Sequence, residues 1–387
     1  MLRLLHTADV HLGARHADLG EQATAQRERQ FDAFRASVDL ALAEKVDLFL
    51  IAGDLFDSNT QPRRSVERVA KEFGRLAEAA IRTVIIPGTH DVYDRASVYR
   101  AYDLPAFAGL PADTDRIVVL TPDRPSVAFK ALDAAVYSRV FATKRAPQSP
   151  LADFQLPEDA PTWRIGVVHG AVSIPGRTDG DEVVVTRDEI SLSGLDYLAL
   201  GHWHSAQSGK AGDVAFAYSG APESVAIGQD GAGKVLLVTL DKRGDTRTVA
   251  IEERVVGRTR FEKVDVDAGR LPSQPALIEQ LAAKADPDLV FDVRLTGVRA
   301  DDLDVHLDEV ESELAGRFLR IRVRDASMAA LTEGPLPPPD TILGAFIRNM
   351  EASIAESEKA PDQSEAGELR DSLRLGRLLL TGHEVTL

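Results

Sequence analysis

Histidines and carboxylates gather in five short segments of this chain: Asp9-Val10-His11, Gly53-Asp54-Leu55-Phe56-Asp57, Gly88-Thr89-His90-Asp91, His169-Gly170 and Gly201-His202-Trp203-His204. These segments hold five of the nine histidines, and the chain has no cysteine. Imidazole and carboxylate without thiolate suit Mn²⁺, Fe or Zn rather than Ca²⁺ or an iron–sulfur cluster. The set is too large for one ion. Two ions roughly 3.5–4 Å apart, sharing a carboxylate, would use all of it. Such a pair binds phosphate oxygens, activates water and neutralises developing charge, so the expected reaction class is phosphoester hydrolysis.

Each segment follows an apolar run that reads as a strand: residues 2–5, 47–52, 83–86, 163–168 and 197–200. A strand that hands a glycine and an acid to a loop is how open α/β sheets present chemistry at their carboxyl edge. Residues 21–44 read as a helix, with Phe31, Phe34, Val38 and Ala41 at helical steps, and residues 62–80 as another, with Val66, Val69, Phe73 and Leu76. The order β-α-β-α-β predicts parallel strands in a layered α/β sheet. Residues 116–120, 127–129 and 131–136 are further short strands, and 143–161 is a proline-rich loop. Residues 216–219, 234–240 and 248–255 read as strands of a second sheet, giving a β-sandwich flanked by helices.

The phosphoester chemistry falls within 1–256. A compact α+β unit is expected over 257–330, with strands at 261–266, 289–296 and 318–323. A stiff linker at 331–340, containing Pro335-Leu336-Pro337-Pro338-Pro339, leads to C-terminal helices within 341–387. The net charge of −16 argues against broad electrostatic attraction to nucleic acid, although bound cations or a basic partner would offset it locally. The first residues lack a signal peptide's apolar run and no stretch is long enough to span a bilayer, so a cytoplasmic protein without a membrane partner is expected.

The five segments, in this order, resemble the motifs of the calcineurin-like metallophosphoesterases. Ala8-Asp-Val-His-Leu-Gly13 and Gly53-Asp-Leu-Phe-Asp57 are similar to the SbcD branch, the nuclease subunit of DNA-repair complexes. The resemblance covers residues 1–220. It implies a four-layer α-β-β-α metallophosphoesterase sandwich with a smaller α+β capping domain and C-terminal helices. It also implies that Asp9, His11 and His204 hold a first metal, that Asp54 bridges, and that His169 and His202 hold a second, with Mn²⁺ the expected ion at both. His90 would sit beside the scissile phosphate, stabilising it or protonating the leaving oxygen. Asp57 and Asp91 would orient a neighbouring group or cap their loops.

One position departs from the family pattern. Where the family has Gly-Asn-His-Asp, this chain has Gly88-Thr89-His90-Asp91. Either Thr89 ligates the second metal directly, or a water fills the gap, or that metal binds weakly. Trp203 is expected to point away from its flanking histidines and to pack.

In the resembled branch, helices after the capping domain bind the coiled-coil base of an SMC-like (SbcC-type) ATPase. Ile342, Phe346, Ile347, Met350 and Ile354 form an apolar stripe that suits such binding, and suits docking on its own domain equally. DNA as substrate and a homodimer are further implications. The alternatives are a phosphatase or small-substrate phosphodiesterase of the same superfamily, and a scaffold subunit with a weakened metal site.

Overall fold

Strands β1 (Leu2–Thr7) and β2 (Leu48–Ala52) are apolar on both faces because both faces are covered. Leu4, Leu48 and Leu50 point into a core between two sheets, while Leu5, Phe49 and Ile51 point into a core beneath helices. Those helices are α1 (Ala23–Glu44), which buries Phe31, Phe34, Val38 and Ala41, and α2 (Arg63–Glu78), which starts after Pro62 and buries Val66, Val69, Phe73 and Leu76. The computed structural model describes the chain except residues 112, 179, 181, 227, 228, 230, 245, 300–302, 330–335, 359–363 and 383–387.

Strand β3 (Arg82–Ile86) and the short β4 (Ile117–Val119) continue the first sheet, with β1 to β4 all parallel, as the β-α-β-α-β order requires. The second sheet holds β5 (Ser126–Phe129), β6 (Ala134–Tyr137), β7 (Trp163–His169) and the strands Tyr197–Gly201, Gln207–Ala211 and Val214–Tyr218. Its four central strands are parallel and its two edges antiparallel. The layer outside it is thin: the six-residue helix Arg187–Leu192, Val172, Val185, and Leu151 and Phe154 of the proline-rich loop.

One expectation about the sheets is corrected. The hairpin Lys234–Arg243 and Thr246–Val255 belongs to the first sheet, where its inner strand pairs antiparallel with β1. Val235 and Leu237 pack under the helices and Leu236, Val238 and Leu240 pack between the sheets, so this strand had to lie inside a sheet. Alternation sets which face a residue occupies, but not which neighbour the strand takes.

The chain divides into two units, Met1–Thr259 and Arg260–Leu387. In the second, strands Arg260–Asp267, Leu289–Thr296 and Arg320–Asp325 form a parallel sheet, with helices Gln274–Ala282 and Leu307–Leu314 as the crossovers. Leu277, Leu281, Phe291, Val293, Val310 and Leu314 fill its core. Helices Ile342–Ser357 and Ser364–Leu380 pack on each other. Half of the expected linker, 331–335, lies outside the described residues. Among the described residues no helix is long and apolar enough to cross a membrane.

Candidate metal centre

The loops after β1 and β2 run side by side. The backbone N–H of Asp9 donates to Gly53 O (3.1 Å), that of His11 to Asp54 O (3.0 Å), and that of Leu12 to Leu55 O (3.0 Å). This lock sets Asp9, His11 and Asp54 at positive φ (53°, 49° and 51°), a costly conformation for residues with a side chain. Gly53, at φ 90°, takes the same turn where a Cβ would collide with the His169 ring. Gly88 is needed for closeness, because a Cβ there would run into the Asp54 carboxylate.

Three groups of ligand atoms converge. Asp9, His11 and His204 offer atoms within 4.8 Å of one another; so do Asp9, Asp54 and His169, and so do His11, Asp57 and His90. The first two groups share Asp9. The Nε2 atoms of His11 and His204 face each other at 3.2 Å. His169 Nδ1–H donates to the carbonyl of Ala52 (2.9 Å), which turns Nε2 towards Asp54 Oδ2 at 3.1 Å. A backbone carbonyl that fixes the tautomer in this way is a regular companion of a ligating histidine. His202, at φ 99°, donates its backbone N–H to both oxygens of Asp9 (3.0 Å each), and its ring stands 5.5 Å from that of His169. Thr89 is buried and lines a small cavity beside His169, with Ser138, Arg139 and Lys144.

Charge follows the same layout. At His169, burial opposes a charged ring, but the carboxylates of Asp54 and then Asp9 outweigh it and raise the ring to about 10. His11 is also raised: burial opposes this, and contact with Asp57 together with the charges of Asp54 and Asp9 prevails. Burial pushes the Asp54 carboxyl up, yet His169 and then His11 hold it well below the usual carboxylate range. Burial is the main influence on His204 and lowers it. Asp9 and Asp54 are 0% and 2% exposed, so the site concentrates negative charge that only bound protons or cations can balance.

The residues therefore fit a pair of divalent cations. The facing nitrogens of His11 and His204 can share only a proton or a cation, and His169 Nε2 is buried without a hydrogen bond of good geometry. Asp9, His11 and His204, and Asp9, Asp54 and His169, already lie within 4.8 Å of one another, whereas the predicted ligand His202 joins neither group.

Around this centre, Asp57 and Asp91 take different places. Asp57 Oδ1 lies 3.3 Å from His11 Nδ1 and 3.7 Å from His90 Nδ1, and contact with His11 holds its carboxyl below the usual range against burial. His90 Nδ1–H donates to the backbone carbonyl of Asp57 (3.1 Å), while the ring remains 44% exposed at the mouth of the site. Asp91 is fully buried. It accepts the backbone N–H groups of Gly88 (2.7 Å) and Phe56 (3.1 Å) and the Tyr99 hydroxyl (2.5 Å), which pins the second and third loops together. Burial, and then the Asp54 charge, push Asp91 up to about 6.

Trp203 stacks on Tyr218 (4.7 Å between rings) and packs on the outer face of the second sheet. It lies beyond the strand end, so the packing and not strand alternation turns it away. In the second unit Ile347 is buried, and Phe346 packs on Gly376 of the next helix. Met350 is half-buried and Ile342 is exposed.

Two residues of the site have no sequence signal. Tyr99 was one of several aromatics in a loop-rich stretch. Gln229 contacts His204 Nδ1 at 2.6 Å from a segment with no motif, and only the folded loop reveals it.

Comparison with known proteins agrees with this geometry. The family model for calcineurin-like phosphoesterases matches residues 2–206. The uncharacterized metallophosphoesterase YhaO of Bacillus subtilis is 31% identical over 228 residues, 57% of this chain and 52% of its own length. The DNA double-strand break repair protein Mre11 of Saccharolobus solfataricus is 32% identical over 128 residues, 33% of this chain and 31% of its own length. Mre11 of Halobacterium salinarum is 25% identical over 297 residues, 77% of this chain and 71% of its own length. The chain thus spans only about half of the first of these relatives and less of the second. With the ligand cluster at the carboxyl edges of the two sheets and the family match over the same residues, the chain belongs to the calcineurin-like phosphoesterases, metal-binding hydrolases of phosphoesters.

Proposed function

We propose that this chain is a metal-dependent phosphodiesterase that cleaves DNA, acting as the nuclease subunit beside an SMC-like ATPase. The observation that carries the reading is the convergence of Asp9, His11 and His204, and of Asp9, Asp54 and His169, with the exposed ring of His90 4.6 Å from that of His11. Asp9, His11 and His204 hold one cation, His169 and His202 the other, and Asp54 bridges, with Thr89 at the second. Imidazole and carboxylate ligands favour Mn²⁺. When bound, the cations polarise the phosphoryl group and supply a nucleophile from water at neutral pH.

The chain's own residues do the rest. Asp57's carbonyl holds one proton of His90 on Nδ1, which leaves Nε2 free, where the ring, when doubly protonated, delivers its Nε2 proton to the leaving oxygen and returns to neutral. Asp91 fixes the loops that carry Asp54 and His90. Relatives named DNA double-strand break repair protein Mre11 support DNA as the substrate. The second unit, beyond the 2–206 match, supports a larger substrate or partner than a minimal phosphatase meets. Within it, Phe346 packs on Gly376 between the two C-terminal helices, while Ile342, Leu379 and Leu380 are exposed. These exposed residues are the face offered to the ATPase.

The rival reading is an enzyme of small phosphoesters, favoured by a net charge of −16 that offers DNA little general attraction. One comparison decides. The full chain with Mn²⁺ is given linear duplex DNA, an aryl phosphodiester and an aryl phosphomonoester. Cleavage of DNA that Asp54→Asn abolishes is expected. Monoester turnover without DNA cleavage would establish the rival, and silence on all three with cations bound would make the chain a scaffold.

A further inference from the structure

Leu2, Leu4, His6 and Ala8 alternate along β1 and just past it, onto the face turned to the second sheet. Leu2, Leu4 and Ala8 join the apolar core there, and His6 stands among them at 0% exposure. Its Nδ1 lies 2.9 Å from the hydroxyl of Tyr197, and the two rings meet edge-on at 6.0 Å. Tyr197 is equally buried and begins the strand Tyr197–Gly201 of the second sheet. Burial lowers His6 to about 3, against a contact with the Leu200 backbone, and pushes the Tyr197 hydroxyl up, so the pair is uncharged. Neither residue belongs to the candidate ligand set.

Stability alone does not call for a polar pair in this core. Replacing both partners of a buried hydrogen bond by apolar groups of similar shape is close to neutral. What the pair adds is direction. Apolar contact between two sheets tolerates sliding, whereas a hydrogen bond is satisfied over a narrow range of distance and angle. The metal centre depends on that alignment. Asp9, His11 and Asp54 follow strands of the first sheet, and His169 and His204 follow strands of the second. Each converging group, Asp9 with His11 and His204, and Asp9 with Asp54 and His169, draws on both sheets. The strand of Tyr197 pairs with β7, with Gly201 opposite His169, so a shift of this strand carries both histidine loops. The bonds from His202 N–H to Asp9 and from His169 Nδ1–H to Ala52 O also cross between the sheets, but candidate ligands make them. Arg247 meets Asp196 at 2.6 Å across the same gap, with the arginine partly open to solvent.

We propose that His6 is a positioning residue whose buried hydrogen bond with Tyr197 fixes the histidine loops of the second sheet against the carboxylate loops of the first. The proposal rests on the assignment of Asp9, His11 and His204 to one cation.

The test uses the full chain. His6→Leu combined with Tyr197→Phe removes the polar atoms and keeps apolar bulk on both sides. The urea midpoint, amide hydrogen exchange without metal, and the Mn²⁺ dissociation constant are measured on it. The midpoint should stay at or above that of wild type. The His202 amide, held by Asp9 at 3.0 Å, should exchange about tenfold faster while the amides of β7 keep their rates, as the loss of one modest hydrogen bond implies. Mn²⁺ should bind about tenfold more weakly. His6→Asn with Tyr197 intact is close to leucine in volume and can still meet the hydroxyl, so it should restore slow exchange at His202. A merely structural pair would lower the midpoint and speed every amide together. That result, an asparagine variant no slower than the leucine one, or wild-type exchange and affinity in the double variant, overturns the role of His6 and leaves the ligand assignment standing. If His204→Ala binds Mn²⁺ as tightly as wild type, the assignment itself fails and takes the proposal with it. Tyr197→Phe alone, which loses a single oxygen, gives the same readings where the double variant does not fold.

Discussion

At His169 carboxylates win against burial and hold a proton on a ring that, in the proposed centre, must be bare to ligate, and they raise His11 in the same direction. Cation binding therefore competes with protonation. The sign follows: His169 is raised to about 10, so at neutral pH the metal-free ring is protonated, and cation affinity climbs as pH rises and falls on acidification. Calorimetric titration with Mn²⁺ at pH 7 in two buffers of different ionisation enthalpy should reveal net proton release; heats independent of the buffer would contradict it. In the proposed centre Thr89 stands at the second cation. A hydroxyl is shorter than an amide and a poorer donor, so that ion should leave first. Thr89→Asn should tighten its retention about tenfold, in the range that single supporting groups contribute at metal sites. Metal content per chain after graded chelation measures this, and equal loss of both ions from wild type would count against it. Asp9, His11, Asp54, His90, His169 and His204 could be picked out from the sequence because each sits in a short polar segment just past an apolar run. Gln229 could not, because its contact depends on the backbone N–H groups of Val225 and Ala226, which carry no side-chain signature.

At the scale of elements, the loops are held by close approach rather than by length. Gly88 lets the third loop lie against Asp54, whose Oδ1 accepts the His90 N–H at 2.7 Å. Gly88→Ala should displace that carboxylate, cost about 1–3 kcal/mol as overpacking does, and abolish retention of both cations. Urea unfolding and metal analysis on the same sample check the two effects, and a variant with full metal content would show that the loop yields. The parallel order β1-β2-β3 was legible because α1 and α2 carry clear helical periodicity between apolar strands. The sheet to which the final hairpin belongs is not legible in the sequence. Leu236 and Val238 face the second sheet across the core, yet their strand pairs with β1 of the first, and pairing leaves no trace in residue type.

For the molecule as a whole, two units with separate cores predict two unfolding transitions. The ligand set lies entirely in Met1–Thr259, so Mn²⁺ should raise only that unit's transition. A ligand at a hundred times its dissociation constant adds about 2.7 kcal/mol to the state that binds it. Scanning calorimetry with and without Mn²⁺ checks this, and a single transition that moves as one would refute it.

The left-handed backbone at Asp9, His11, Asp54 and His202 has a consequence for descent. These conformations cost energy with or without cations, and Asp, Asn and Gly bear them better than most residues. Asn or Gly at Asp9 or Asp54 would silence the chemistry while keeping the turns. A lineage could lose the activity through such changes without losing a foldable chain. In this architecture the shape is inherited more durably than the reaction.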